Sequence, residues 1–350
     1  MLDARRDLFR AFVRDHGVQS PLYGAIAARV AEDEPTLELL SAAKPGQARP
    51  VLLFAAVHEL LLAGIAHPLA RSYPSVGGAV DLDAAPALFL DFCRVHREAV
   101  RERIATRTVQ TNEVARAAYL YAGLLETVGE GPIHLVEIGP SAGLLLLLDR
   151  YGYDFGEGIV GERTSGLVLR PTLLADARPS TGRTLPKIAS RVGLDLEPVD
   201  VRDEGATRWL RACLFADELE RLARFDAAVA IARANEPLRF VVGDACETLP
   251  GVIEALPEGG ELVLMHTWAL TYLDRPMRAR FLATLEAMAA VRPFTLLGAE
   301  PPGVARALGF EGELDAGSAY LTRLRFGAAG RDATLLARVH PHGATIAWLA

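Results

Sequence analysis

His134-Leu135-Val136-Glu137-Ile138-Gly139-Pro140-Ser141-Ala142-Gly143, continued by Leu144 to Leu148 and Asp149, is the stretch on which the reading of this chain turns. Its first half is a short apolar run rich in branched residues, the pattern of a strand buried in a parallel sheet. Gly139 and Gly143 then bracket a turn, and Ala142 to Asp149 predicts the first turns of a helix. A strand that ends in an acid, passes spaced glycines and opens a helix has the outline of a loop that cradles a nucleotide cofactor. The glycines let backbone approach a ligand, and a helix N-terminus offers free N–H groups. The spacing E-x-G-x-x-x-G is not the dinucleotide spacing G-x-G-x-x-G.

The same residues also spell G-x-S-x-G, the nucleophile elbow of α/β-hydrolases, which is again strand, turn and helix. With His340 and His342 near the C-terminus and several aspartates between, the chain order Ser…Asp…His is satisfied. A third reading is a tight strand–helix turn without chemistry, and on this segment alone all three stand open. Its place in the chain bears on the choice. No convincing strand precedes Ile133, whereas an elbow serine tops a central strand after several earlier ones. A loop after the first strand is where a cofactor is held.

The 350 residues are enough for one large domain or two moderate ones. A net charge of -7 argues against general nucleic-acid binding, because nothing neutralises phosphates in bulk. Cys93, Cys213 and Cys246 lie far apart with no paired spacing, so no disulfide framework or zinc ribbon is implied and a reducing cytoplasm fits. Met1 to His16 reads as an amphipathic helix, not a signal peptide. Val51 to Ala70 is strongly apolar, but His58, Glu59 and His67 interrupt it and Pro68 ends it, which predicts a buried helix and no membrane span.

Up to about Val128 the periodicity is helical, with helices expected near 3–15, 21–31, 35–43, 50–66, 84–105 and 112–128. Arg107-Thr108-Val109-Gln110-Thr111-Asn112-Glu113 is unusually polar for its place. Thr111 or Asn112 is expected to cap the last of these helices; Gln110, Asn112, Glu113 and Arg116 are open candidates to face a cleft. Beyond the glycine loop a strand is expected over Gly166 to Ala175, within an excursion near 151–186. Val192 to Pro198 reads as a strand ending in Asp195, further along than the ~20 residues usual between glycine loop and acid. A helix over Asp217–Ala234 feeds a strand ending Gly243-Asp244-Ala245. Gly260 to Trp268 reads as a fourth strand with His266 at its carboxyl end, Tyr272 nearby, and Phe294 to Ala299 as a fifth with Glu300 at its tip. Three further segments predict an antiparallel end to the sheet around turns at Gly327–Arg331 and His340–Gly343. His340 and His342 lack partners at ligand spacing, so no metal site is expected.

Taken together, Arg107–Glu113, Glu137–Gly143, Leu148–Asp154, Gly193–Pro198 and His340–Gly343 resemble a bacterial family of uncharacterised proteins related to Rossmann-type methyltransferases. The resemblance implies an α/β fold: an all-helical N-terminal part over 1–130, then a Rossmann-like methyltransferase sheet over 131–350 with antiparallel C-terminal strands and an insertion near 151–186. The cofactor implied is S-adenosylmethionine. Glu137, Gly139, Ser141 and Gly143 would cradle it, Asp195 would accept from its ribose hydroxyls, and Asp244 and Ala245 would meet its adenine. His266 or Glu300 would serve as base for a small-molecule or protein-side-chain acceptor, with Tyr272 lining its pocket. The chain departs from the wider pattern in Pro140 and Ser141 inside the loop and in the long gap before Asp195. The rival readings are a serine hydrolase using Ser141 and a non-catalytic ligand-binding protein.

Overall fold

A computed structural model describes residues 2–174, 177–310, 314–327 and 330–349. Ala175, at the end of one expected strand, and the tip of the expected turn at 328–329 lie outside the described residues.

The strands are β1 (Ile133–Ile138), β2 (Gly152–Asp154), β3 (Ile159–Gly161), β4 (Val168–Leu169), β5 (Thr172–Leu173), β6 (Ile188–Asp195), β7 (Arg239–Val242), β8 (Glu261–Thr267), β9 (Phe294–Glu300), β10 (Ala319–Gly327), β11 (Gly330–Val339) and β12 (Thr345–Trp348). Nine of them form one sheet in the order β5-β12-β11-β10-β9-β8-β1-β6-β7. The run β9-β8-β1-β6-β7 is parallel throughout, and β10, β11 and β12 continue it antiparallel. The fold is therefore mixed α/β with a large, mostly parallel sheet. Apart from the edge stub β5, strands after β1 are added along the chain first on one side of it (β6, β7) and then on the other (β8 onward), so the order reverses between β1 and β8. In open α/β sheets ligands bind outside the carboxyl ends of the strands at such a reversal.

The expected strand over Gly166–Ala175 is instead two short ones in different sheets. β4 joins β2 and β3 in a small sheet, while β5 pairs with β12 at the edge of the large one. Pro171 stands between them and has no N–H to continue a ladder.

One face of the large sheet packs Val136, Ile138, Val192, Leu194, Leu264 and Leu296 against Leu249, Phe281 and Leu285 of two helices, Ala245–Glu254 and Arg275–Ala289. The opposite face takes the helix Ala117–Thr127, where Gly123 sits so close that a Cβ would meet methyls of Leu297 and Leu321 at 3.1 Å. The helix expected after the glycine loop is a 3-10 segment, Leu144–Arg150, kinked at Leu147. The cause is local. Tyr151 Oη donates to the Leu144 carbonyl (2.7 Å), Tyr153 Oη to that of Leu148 (2.5 Å) and Arg191 Nη1 to that of Leu146 (2.9 Å). Carbonyls that would accept from the next α-turn are taken by side chains. Arg191 also forks onto Asp149 at 2.7 and 2.8 Å.

The chain divides into two compact units: Met1–Asn112 with Asp200–Asp226, and Glu113–Val199 with Ala227–Ala350, which holds the sheet. In the first, Phe9, Phe12, Tyr23, Phe54, Phe89 and Phe92 share a core with Trp209 and Phe215. The helix Pro50–Leu62 is buried as its composition predicts. Its Glu59 is paired with Arg208 (2.7 Å) and Arg103 (3.3 Å). His58 bonds the Ala212 carbonyl and Ser75 Oγ, and burial lowers its pKa to about 4. The helix expected over 84–105 is broken in two at His96. Among the described residues no helix is long and apolar enough to cross a membrane, and no cluster of His, Cys, Asp or Glu is placed to hold a metal.

Candidate functional site

The glycine loop is built from left-handed backbone: φ is +70° at Gly139, +52° at Ser141 and +69° at Gly143. Glycine takes that region freely, and a serine there is uncommon. Gly139 N donates to the Leu194 carbonyl (2.9 Å), prolonging the β1–β6 ladder into the turn. Ser141 N donates to Asp195 Oδ2 (2.8 Å), and Glu197 N to Asp195 Oδ1 (2.9 Å). The carboxylate at the end of β6 is thus fastened to the loop after β1. Two of its roughly four lone-pair sites are used, which leaves capacity for another donor.

The two glycines differ in access. Gly139 is exposed, whereas a Cβ on Gly143 would meet Leu238 at 2.7 Å and Phe240 at 3.0 Å. Phe240 and Pro140 also fill the space before Gly193. The inner side of the loop is thus filled by side chains, while Gly139 on its outer rim is exposed. On that rim stand two exposed apolar residues, Leu196 (68 %) and Val242 (66 %), the latter opposite Asp195 in register. Asp244, after β7, caps the helix that Ala245 begins by accepting from Cys246 N (2.9 Å).

Glu137 is nearly the last residue of β1 and 2 % exposed. Burial, reinforced by the Asp195 charge, pushes its carboxyl up to about 8 against the opposing influence of Arg116. It is therefore mostly protonated at neutral pH, and its Oε2 has no hydrogen-bond partner among the described residues. His266 and Glu300 end neighbouring strands and meet: Nδ1 to Oε1 is 2.9 Å, and the same Oε1 accepts from Leu270 N (3.0 Å). His266 Nε2 and Glu300 Oε2 are buried without partners among the described residues. The imidazole lies directly on Gly298, where any Cβ would collide with the ring. Tyr272, on the 3-10 turn Leu270–Tyr272, is 73 % exposed.

Three more residues complete the cluster. Arg116, 5 % exposed, donates from Nε to the Pro341 carbonyl (2.9 Å) and from Nη1 to Thr267 Oγ1 (3.5 Å), with its guanidinium 5.6 Å over the Trp268 ring. Trp268 is held at φ +57°, and neither its Nε1 nor the Tyr119 hydroxyl has a partner among the described residues. The polar stretch ending at Glu113 and the open place given to Arg116 pointed this way. Tyr119 and Trp268 carried weaker signals: one lies three residues past Arg116 on a helix, the other two past His266. The cap expected from Thr111 or Asn112 is supplied by Glu113, which accepts from Ala115 N (3.3 Å). The His340–Gly343 turn closes onto this corner. His342 Nδ1 is 3.4 Å from Glu113 Oε2, and Gly343 lies too close to the Ala115–Arg116 backbone to carry a Cβ.

Buried polar atoms are almost always hydrogen-bonded, because stripping water from an unpaired one costs free energy. Five such atoms lie near the carboxyl ends of β1, β8 and β9, which makes this corner the candidate site. Over residues 6–348 the chain matches the family described as uncharacterized protein conserved in bacteria (DUF2332), and it belongs to that family. A search of curated proteins gives no match.

Proposed function

We propose that this member of the bacterial family is an S-adenosylmethionine-dependent methyltransferase with a Rossmann-like methyltransferase fold, acting on a small-molecule or protein-side-chain acceptor. The observation that carries the reading is the Asp195 carboxylate, tied to the glycine-loop N–H of Ser141 and keeping lone pairs for two adjacent hydroxyls. The parallel strand order supports it, since the reversal beside β1 is where such folds take a nucleoside. The residues fit the group. Gly139 offers exposed backbone, Leu196 and Val242 offer apolar surface beside Asp195, and Asp244 with Ala245 stands on the adjacent strand end.

When bound, the cofactor supplies a methyl group already activated on sulfur. The chain's contribution is placement and charge. Asp195 would hold the sugar, Asp244 and Ala245 the base, and Gly139, Ser141 and Gly143 would shape the loop, while protonated Glu137 adds no negative charge of its own to the pocket floor. Glu300 fixes the imidazole of His266 through Nδ1, so that Nε2 is the atom left to take a proton from an acceptor that must lose one. That nitrogen has no solvent exposure, so the proton reaches it only across a bound group. Tyr272 lines the approach of the acceptor.

Calorimetry on the full chain is the test. Cofactor binding in the micromolar range is expected, weakened about tenfold or more in Asp195→Ala; absence of any binding heat in ligand-free protein overturns the proposal. The serine-hydrolase reading draws on one observation, the left-handed Ser141 (φ +52°), since an elbow nucleophile is held in strain. A fluorophosphonate probe separates the two: labelling of Ser141 in folded protein favours the hydrolase, and its failure removes it.

A further inference from the structure

The buried guanidinium of Arg116 has no carboxylate bonded to it directly, although those of Glu113 and Glu300 lie within reach of the same corner. Its partners are a carbonyl, a hydroxyl and an indole face, and among the described residues no carboxylate lies within ion-pair distance of it. Glu137 feels its charge but is itself mostly neutral below about pH 8 and so gives no full counter-charge. Arginine is seldom this buried without an anion, and the desolvation of an unpaired ion costs several kcal/mol. Two other donors in the same corner also lack an acceptor among the described residues. One is the indole N–H of Trp268, whose ring lies under the guanidinium; the other is the hydroxyl of Tyr119, one turn past Arg116 and within reach of its charge. Trp268 is moreover held in left-handed backbone, a cost for a bulky residue that folds retain where a side chain must be aimed.

Donors of this kind around a single positive charge match one acceptor class best. A carboxylate is flat, carries two oxygens with about four lone-pair sites, and meets a guanidinium in a charge-assisted fork. We propose that Arg116, with Trp268 Nε1–H and Tyr119 Oη–H, forms the receptor for the carboxylate of a small-molecule ligand. That carboxylate belongs either to the amino-acid end of the cofactor proposed above or to a separate small acid that serves as the acceptor. The inference rests on the charge balance at Arg116 and does not require the cofactor reading.

The test uses the full-length protein labelled with nitrogen-15 and follows the indole N–H resonances of its three tryptophans, with Trp268 assigned through Trp268→Phe. Three probes are titrated: S-adenosylhomocysteine, methylthioadenosine (the same nucleoside thioether without the amino-acid end), and a panel of short mono- and dicarboxylic acids. At least one carboxylate probe is expected to move the Trp268 resonance, and methylthioadenosine is expected to leave it in place. Affinity for the active probe is expected to fall about tenfold or more in Arg116→Gln and to recover in part in Arg116→Lys. If S-adenosylhomocysteine is the active probe, the carboxylate is the cofactor's. If only the short acids act, the receptor stands and the cofactor reading fails. If the nucleoside probes bind equally to wild type and Arg116→Gln while no acid moves Trp268, the receptor is overturned and the cofactor reading survives. A Trp268 resonance indifferent to every carboxylate overturns the receptor outright. Should Arg116→Gln fail to fold, the wild-type comparison of the two thioethers and the acids still decides.

Discussion

Glu137 shows most plainly how one residue couples the site to stability. Its carboxyl titrates near 8 in the folded protein against an ordinary 4.5, with burial as the main cause. The folded form holds this proton more tightly than the unfolded chain does. The stabilisation is therefore complete below about pH 4.5 and is lost as pH rises through about 8. Glu137→Gln keeps a neutral polar side chain with nothing to titrate. Its melting temperature is expected to vary less across that window and to exceed the wild type above pH 8.5, by the equivalent of roughly 2 kcal/mol or more; superimposable profiles would refute the assignment. An acid at the end of a branched apolar run is visible in the sequence, and so were the acids closing the next two strands. What the sequence withheld was partnership. Nothing in the spacing announces that Asp195 binds the N–H of Ser141, or that the His266 ring needs a glycine at 298, because both contacts join residues far apart in the chain.

Among the elements, the segment Leu144–Arg150 departs furthest from its expected form. Leucines in a row after a glycine turn predict a helix, yet three long side chains from later in the chain claim its carbonyls and leave it 3-10. Arg191 is the strongest of these clamps, since it also forks onto a half-buried Asp149. Arg191→Ala leaves the Leu146 carbonyl without this donor and Asp149 with the looser contact to Arg150 Nε at 3.6 Å. A loss of about 2–3 kcal/mol in denaturant unfolding is expected. Arg191→Lys should restore less than half, because an ammonium cannot reproduce the fork. A change below ~0.5 kcal/mol in the alanine variant would show that the clamp contributes nothing. The central parallel strands β1, β8 and β9 were legible for the opposite reason: buried on both faces, they are apolar along most of their length and need no distant partner to be recognised.

At the scale of the whole molecule, chain order and compactness part company. Asp200–Asp226 belongs with Met1–Asn112, and it brings Trp209 and Phe215 to that core and Arg208 to the buried Glu59. No local pattern encodes such a return, since the helix Glu204–Ala212 reads alike whichever core receives it. A fragment of residues 1–112 would lack those groups and leave Glu59 with Arg103 as its one arginine partner among the described residues. It is expected to show no cooperative melt by circular dichroism, whereas the same fragment joined through a flexible linker to 200–226 should melt cooperatively; a sharp transition in the short fragment would refute this. The large sheet carries a further consequence at its margins. Its outermost strands are stubs, β5 of two residues and β7 of four, and β7 carries an exposed arginine at position 239. A stray strand from another copy finds too few open amide groups there to zip onto. A scaffold nine strands wide thereby presents little template for fibril growth at either margin.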